Sequence, residues 1–298
     1  MEKDEHIIKK IKNLPTLPLV VDNLTRVINN PQSCAKDLSE IITKDPSLSA
    51  RVLKIVNSSF YGFSQKIPTV SRAVVILGYN CVKNLALSST IFNFLAEKVD
   101  NKDFDINSLW DHSLRCAACS RLIASEILHQ DSEDTFISGL MHDIGKVIFM
   151  EYLADQYQQA ISKANDDTIP LYEAERLVIG SDHAELGYVL ADKWKFHKVL
   201  ANSIRFHHHP LSAQKSCDEF SLKISCIVYL ANILSKIDCK DISEKGPLKD
   251  IDPEVINLLN IERGWEQRIL LELENEMEKC KVFIDGKSDN QVGHLSDI

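Results

Sequence analysis

The spacing of apolar residues is the feature that most constrains how this chain folds. Wherever a regular pattern exists, apolar residues recur every three or four positions, as on one face of an amphipathic helix, and no alternating stretch exceeds a few residues. Glycine, with 10 of the 298 residues, and proline, with 9, are too scarce for a fold rich in tight turns. We therefore predict an all-α fold.

Local signals place several helix ends. A helix should stop at Asp45, because the following Pro46 disfavours the helical conformation of the residue before it, and Gly78 should end a later helix. Ser108 and Asp111 have the spacing of a capping box. Three further elements are expected: one helix through positions 136 to 148, one through about 155 to 179, and one that starts at Asp182.

Changes in composition divide the chain into four parts. A polar linker, AEKVDNKDFDIN, separates an N-terminal helical domain, residues 1–100, from a helical bundle, residues 101–240. A C-terminal helical extension should follow at 241–285. The polar residues 286–298 are expected to form a flexible tail.

Charge and cysteine content restrict the compartment and the partners. The N-terminus is charged, and no run approaches the roughly 20 apolar residues of a membrane span, so we expect a cytoplasmic protein without membrane contact. The net charge of −9 argues against binding nucleic acid. The eight cysteines should be reduced thiols. Cys116 and Cys119 form a CxxC within a helical pattern and are interpreted as core residues rather than a zinc or redox site.

An adjacent histidine and aspartate lie inside the apolar run SGLMHDIGKVIF. Burying such a pair is costly unless both side chains have partners, so His142 and Asp143 are candidates for a metal site. His112 lies on the apolar face of another predicted helix, and His183 falls in the first turn after Asp182.

Three consecutive histidines precede Pro210, where a helix should end. Because adjacent side chains on a regular helix point apart, His207 and His208 converge on one ion most easily at such an end. Imidazole and carboxylate ligands together suit Fe, Mn, Zn, Ni or Co. Asp143 is able to bridge two ions, so one or two divalent ions are predicted. In a two-metal site Lys146 would meet the charge of a bound phosphate.

Each histidine taken alone is better explained as a satisfied core or surface residue. Five histidines at separate helical positions, together with the embedded pair, favour a metal site that is present or ancestral. Gly139 and Gly145 flank the pair, although a glycine inside a helix costs about 1 kcal/mol relative to alanine. Gly139 is interpreted as close helix packing, whereas Gly145 fits either packing or backbone access to the site.

Six stretches of the chain resemble the HDOD proteins, a family related to HD-domain phosphohydrolases and HD-GYP proteins. They are LPTLP, IITKDPSLSARVLKIVNSSFYG, IPTVSRAVVILGYNCVKNLAL, GLMHDIGK, DHAELGYVLADKW and IRFHHHP. The resemblance covers about residues 12 to 236. It implies an N-terminal helical subdomain packed on an HD-like helical bundle and a regulatory role, usually without catalysis.

The resemblance also implies a ligand set. The matching positions are His112, His142, Asp143, His183, His207 and His208. The last ligand of an HD protein is an aspartate, but this chain has Asn232 there, and a neutral amide holds a cation less firmly. No GYP tripeptide follows the paired histidines, which argues against hydrolysis of cyclic di-GMP. His197 stands where the family often has proline and is interpreted as a surface change.

Two functions follow from these features. The first is a signalling module that acts by binding a protein partner or a small ligand, with no efficient catalysis. The second is a metal-dependent phosphohydrolase for a nucleotide or phosphoester, with Asp143 and Lys146 as its catalytic residues. The pattern makes no prediction of the oligomeric state.

Overall fold

The amphipathic stripes of the sequence are helices in the computed structural model, which describes residues 19–98, 104–128, 133–237, 251–262 and 264–283. No strand is present in these ranges, so the all-α prediction is confirmed. In chain order the helices are α1 (Leu19–Asn29), α2 (Ala35–Lys44), α3 (Pro46–Val56), α4 (Val70–Leu77), α5 (Tyr79–Lys98), α6 (Ile106–Leu128), α7 (Glu133–Met141), α8 (Ile144–Tyr152), α9 (Ala154–Asp167), α10 (Leu171–Val178), α11 (His183–Lys193), α12 (Lys198–Phe206), α13 (Glu219–Leu234), α14 (Pro253–Leu258) and α15 (Trp265–Cys280). Short 3-10 helices lie at Pro210–Lys215 and Lys281–Phe283.

The N-terminal helices end where the sequence predicts. Asp45 separates α2 from α3, and its Oδ1 accepts a hydrogen bond from the Leu48 amide at 3.0 Å, which caps α3. Gly78 ends α4 with φ of 90°, a conformation that glycine adopts without strain. Helices α1 to α5 pack on one another, and α5 also packs on α7 of the bundle.

Helix α6 is the centre of the bundle. It packs against α7, α13 and α15, while α8 packs on α11, and α12 lies between α11 and α13. Cys116 and Cys119 are buried on α6, as expected of core residues. The buried apolar side chains of α1–α5 and of the bundle form one contiguous core. This agrees with the expected packing of an N-terminal helical subdomain on an HD-like bundle.

The expected single helix over positions 136 to 148 is wrong, because the structure divides it into α7 and α8. His142 and Asp143 form the junction. All residues from Thr135 to Gly145 are buried, so the apolar pattern continues through the break and does not mark it. Gly139 and Gly145, which weaken helix formation on either side, are consistent with a break here.

Two other boundaries differ from the predictions. The expected helix over 155–179 is two helices, because Thr168 adopts a left-handed φ of 52° and Pro170 follows shortly after. The capping box at Ser108 is also wrong. Helix α6 begins earlier, at Ile106, and Asp105 Oδ1 accepts hydrogen bonds from the amides of Asn107 and Ser108, both at 3.1 Å.

In the part of the chain that the structure describes, every helix is too short or too polar to cross a lipid bilayer. The division into four parts stays a prediction, and the tail at 286–298 lies outside the described residues.

Candidate metal centre

Asp143 lies at the middle of a cluster of histidines, and each of its two oxygens faces a different pair. Its Oδ1 is 3.1 Å from Nε2 of His183 and 3.7 Å from Nε2 of His207. Its Oδ2 is 3.3 Å from Nε2 of His142 and 3.6 Å from Nε2 of His112. A carboxylate placed in this way is suited to ligate one ion or to bridge two.

His208 completes the cluster on the Oδ1 side. Its Nε2 is 2.9 Å from Nε2 of His183, which in turn is 3.3 Å from Nε2 of His207. The ligand atoms of these three histidines lie within 4.8 Å of one another, as do those of His112, His142 and Asp143. The structure therefore brings all six predicted ligands together in two adjacent groups.

Helix ends make this convergence possible. The HD pair lies at the α7–α8 junction, His183 is the first residue of α11, and His207 is the C-cap residue of α12. Side chains of neighbouring residues point apart within a regular helix but not where a helix ends. His112 is the exception, since it lies within α6.

Backbone carbonyls orient two of the rings. Nδ1 of His142 lies 2.7 Å from the Gly139 carbonyl oxygen, and Nδ1 of His207 lies 2.7 Å from that of Ile204. Because a carbonyl only accepts, each Nδ1 carries the proton, and each Nε2 presents its lone pair to the centre. This tautomer is the one that binds a metal through Nε2.

Several polar atoms of the centre are buried without a hydrogen-bond partner among the described residues: His112 Nε2, His142 Nε2, Asp143 Oδ1 and Asn232 Oδ1. Buried polar atoms are normally satisfied, and unsatisfied ones call for an explanation such as a bound ion. All four are good metal ligands, so the residues fit a divalent cation. Asn232 is buried and lines the same cavity as His207 and His208, but its amide has no charge.

Burial keeps most of these histidines neutral. It lowers the pKa of His112 to about 3 and holds the pKa values of His207 and His208 well below the ordinary range. For Asp143 burial has the opposite tendency, but the neighbouring His142 and Lys146 hold the pKa of its carboxyl well below the usual range. The Glu175 carboxylate acts against burial and raises the pKa of His183 to about 9, so this imidazole would give up a proton on binding an ion. The centre thus combines the neutral rings of His112, His207 and His208 with an ionised carboxylate, which is the protonation state of metal ligands.

Lys146 lies beside the aspartate, as its place one turn along α8 predicts. Its Nζ donates to Asp143 Oδ2 at 2.6 Å. A cavity of about 610 Å³ opens next to the centre, and its lining includes His207, His208, Asn232 and Lys236. The histidine centre is therefore open to a small ligand on one side.

Two residues were missed or misinterpreted from sequence. Glu175 is fully buried, and its Oε2 lies 2.6 Å from Nδ1 of His183. No sequence signal separates it from the exposed Glu173 on the same helix. The interpretation of His197 as a surface change is wrong, because its ring is half-buried and accepts a hydrogen bond from the Leu200 amide at 3.4 Å as the N-cap of α12.

Glycines let the helices that carry the ligands approach closely. A Cβ atom on Gly145 would lie 2.0 Å from the carbonyl oxygen of His183, and one on Gly187 of α11 would lie 2.8 Å from a methyl group of Ile204. A Cβ on Gly139 would lie 2.8 Å from Cα of Ala117, which confirms its interpretation as close packing. Gly145 is likewise a packing residue, and it sets the separation of α8 from α11.

We predict that Gly145→Ala lowers the free energy of unfolding by about 2 kcal/mol, because the new methyl group meets backbone that has no room to move. Urea unfolding followed by circular dichroism measures this change. At an uncrowded helical position the same substitution stabilises a protein by up to about 1 kcal/mol. A variant as stable as the wild type would contradict the close approach of α8 and α11.

Comparison with known proteins identifies the family of this chain. The family model described as HDOD domain matches residues 14–210. An HDOD domain protein with unknown function from Geobacter sulfurreducens superposes with a TM-score of 0.72 over 95% of this chain and 96% of its own, at 20% identity. A protein from Shewanella amazonensis SB2B, named as a candidate phosphohydrolase, is 26% identical, with a TM-score of 0.70 over 93% of this chain and 97% of its own.

The relatives found by sequence are longer. An uncharacterized protein from Treponema pallidum (strain Nichols) is 26% identical over 242 residues, which are 81% of this chain and 46% of that protein. The chain spans about half the length of the curated relatives that it matches. The family match extends over well more than half of the chain and includes His112, the HD pair, His183 and the paired histidines. The chain belongs to the HDOD domain family.

Proposed function

We propose that this protein is a regulatory module in which the histidine–aspartate centre holds one or two divalent metal ions. It would pass a signal by binding a protein partner or a small ligand. The observation that carries the proposal is the position of Asp143 between two groups of histidine nitrogens, with one carboxylate oxygen facing each group. Without a cation, His112 Nε2, His142 Nε2 and Asp143 Oδ1 are buried with no hydrogen-bond partner among the described residues.

His183, His207 and His208 would hold an ion together with Asp143 Oδ1. His112 and His142 would hold a second ion together with Asp143 Oδ2. Fe, Mn, Zn, Ni and Co all accept such imidazole and carboxylate ligands. A divalent ion bound here would supply Lewis-acid chemistry toward an anionic ligand.

Asn232 supports a regulatory role over an enzymatic one. Its carbonyl oxygen is buried without a partner among the described residues and is available to a cation, but it adds no negative charge to the centre. Asp143 is then the one anionic ligand among the proposed set, and a single carboxylate leaves most of the charge of two divalent ions uncompensated. We infer a site adapted to hold metal rather than to turn over substrate.

An assay of phosphoester hydrolysis separates this proposal from the enzymatic one. We expect protein loaded with Mn²⁺ or Fe²⁺ to hydrolyse p-nitrophenyl phosphate and nucleoside phosphates no faster than the Asp143→Ala variant. Stoichiometric metal in the wild type, measured on the same samples by plasma mass spectrometry, is the necessary control. Metal-dependent turnover that Asp143→Ala abolishes would contradict the regulatory role.

A metal-dependent phosphohydrolase is the second candidate, and the cavity beside the centre favours it. This cavity reaches His207 and His208 and is flanked by Lys236, which would attract a phosphate group. The name of the Shewanella amazonensis relative points to the same activity. In that case Asp143 would hold the metal, and Lys146 would stabilise charge on the phosphoryl oxygens.

A further inference from the structure

A second buried carboxylate lies behind the candidate ligands, on a helix that contributes no ligand itself. Glu175 of α10 is fully buried, and its Oε2 accepts two hydrogen bonds from one residue. One comes from the backbone amide of His183 at 2.9 Å and the other from the His183 ring at Nδ1, 2.6 Å away. The same oxygen therefore holds both the start of α11 and the orientation of the imidazole.

The next residue along α10 reinforces this arrangement. Arg176 Nε donates to Asp182 Oδ2 at 2.5 Å, and Asp182 Oδ1 caps α11 by accepting from the Glu185 amide at 2.9 Å. Two successive side chains of α10 thus bind two successive residues at the start of α11. Gly145 of α8 also lies close against the backbone of His183.

A purely structural role explains Glu175 poorly. Its Oε1 is buried and has no hydrogen-bond partner among the described residues. A buried carboxyl group with only one satisfied oxygen costs stability, and an apolar side chain of similar size would avoid that cost. Glu175 instead fixes the orientation of the His183 ring. Because the Nδ1 proton of that ring is held by Glu175, its Nε2 faces Asp143 at 3.1 Å.

We propose that Glu175 is a positioning residue for the metal centre, which orients His183 and makes its Nε2 a stronger ligand. The inference rests on the proposed metal-binding function. A carboxylate that accepts a hydrogen bond from a ligating histidine fixes the ring and raises the basicity of its other nitrogen. Glu175 acts through His183 and touches no ion itself.

The test compares Glu175→Ala and Glu175→Gln with the wild type, and uses Glu173→Ala as the matched control, since Glu173 is exposed on the same helix. Zn²⁺ is the probe, and its affinity is measured by competition with a chromophoric chelator. The second readout is the hydrogen-bonded Nδ1–H resonance of His183, recorded by long-range proton–nitrogen NMR with and without Zn²⁺.

We expect Glu175→Ala to lose roughly 10- to 100-fold in Zn²⁺ affinity and to lose the His183 Nδ1–H resonance. Glu175→Gln should keep the resonance, because its amide oxygen still accepts from Nδ1, and should retain more of the affinity than the alanine variant. Glu173→Ala should match the wild type in both readouts.

Wild-type affinity in Glu175→Ala, or an unchanged His183 resonance, would overturn the proposal. If the alanine variant does not fold, the NMR spectrum of the wild type tests the proposal. Absence of a hydrogen-bonded His183 Nδ1–H resonance from that spectrum would also overturn the proposal. Failure of the wild type to bind Zn²⁺ would instead contradict the proposed function. The His183 resonance is measured in metal-free protein, so it tests the role of Glu175 even if the wild type fails to bind Zn²⁺.

Discussion

The Asp143→Asn variant should bind divalent metal more than about 100-fold more weakly than the wild type. Loss of a hydrogen-bond partner behind a ligand already costs about 10- to 100-fold, and Asp143 is a direct ligand in this account. Its two oxygens face the two histidine groups, so one substitution removes the only negative charge among the proposed ligands of both groups. Titration calorimetry with Mn²⁺ measures the affinity directly.

Asp155→Asn is the control for this experiment, because Asp155 is exposed at the start of α9 and its substitution makes the same change in net charge. It should bind Mn²⁺ as the wild type does. Circular dichroism should show that both variants keep their helices. Equal affinity in Asp143→Asn and the wild type would mean that the ion binds elsewhere.

The largest expected effect on stability comes from the C-terminal extension. Glu276 of α15 accepts from Arg121 Nη1 of α6 at 2.8 Å, and the two side chains are only 7% and 16% exposed. The Arg121 guanidinium also lies 4.1 Å from the ring centre of Phe60, next to the N-terminal helices. This pair therefore joins the extension, the bundle and the N-terminal helices at one point.

We expect Glu276→Ala to lower the free energy of unfolding by about 3 kcal/mol, because it removes a buried carboxylate that pairs with a largely buried guanidinium. Urea unfolding monitored by tryptophan fluorescence and circular dichroism measures the change. Glu274→Ala is the matched control on the same helix, since Glu274 pairs with Arg115 of α6 at 2.7 Å but its side chain is 61% exposed. Exposed pairs contribute about 1 kcal/mol or less. Similar losses in both variants would contradict the role assigned to burial.

Much of this architecture is predictable from local patterns. Helical periodicity indicates the fold class, and Asp45 and Gly78 mark helix ends through chemistry that acts within a few residues. Three candidate ligands, His112, His142 and Asp143, stand out because histidine and aspartate are costly in apolar surroundings. His183, His207 and His208 stand out by their place at predicted helix ends. Their convergence in space agrees with the pattern, although whether they bind metal stays a prediction.

What the sequence does not reveal depends on contacts between distant residues. The break between α7 and α8 is hidden because both helices are buried around the HD pair, so the apolar pattern passes through it. Glu175 resembles any exposed glutamate until α11 is placed against α10. The pairing of Arg121 with Glu276 joins residues 155 positions apart, and periodicity carries no information at that range.

Anomalous diffraction from crystals of the wild-type protein, purified without chelator, tests the central claim most directly. Data collected at the absorption edges of Mn, Fe, Co, Ni and Zn would both identify and locate a bound ion. We predict an anomalous peak at the histidine–aspartate centre, in contact with Asp143 and His183. An absence of any peak at this centre would contradict the claim that these residues form a metal site.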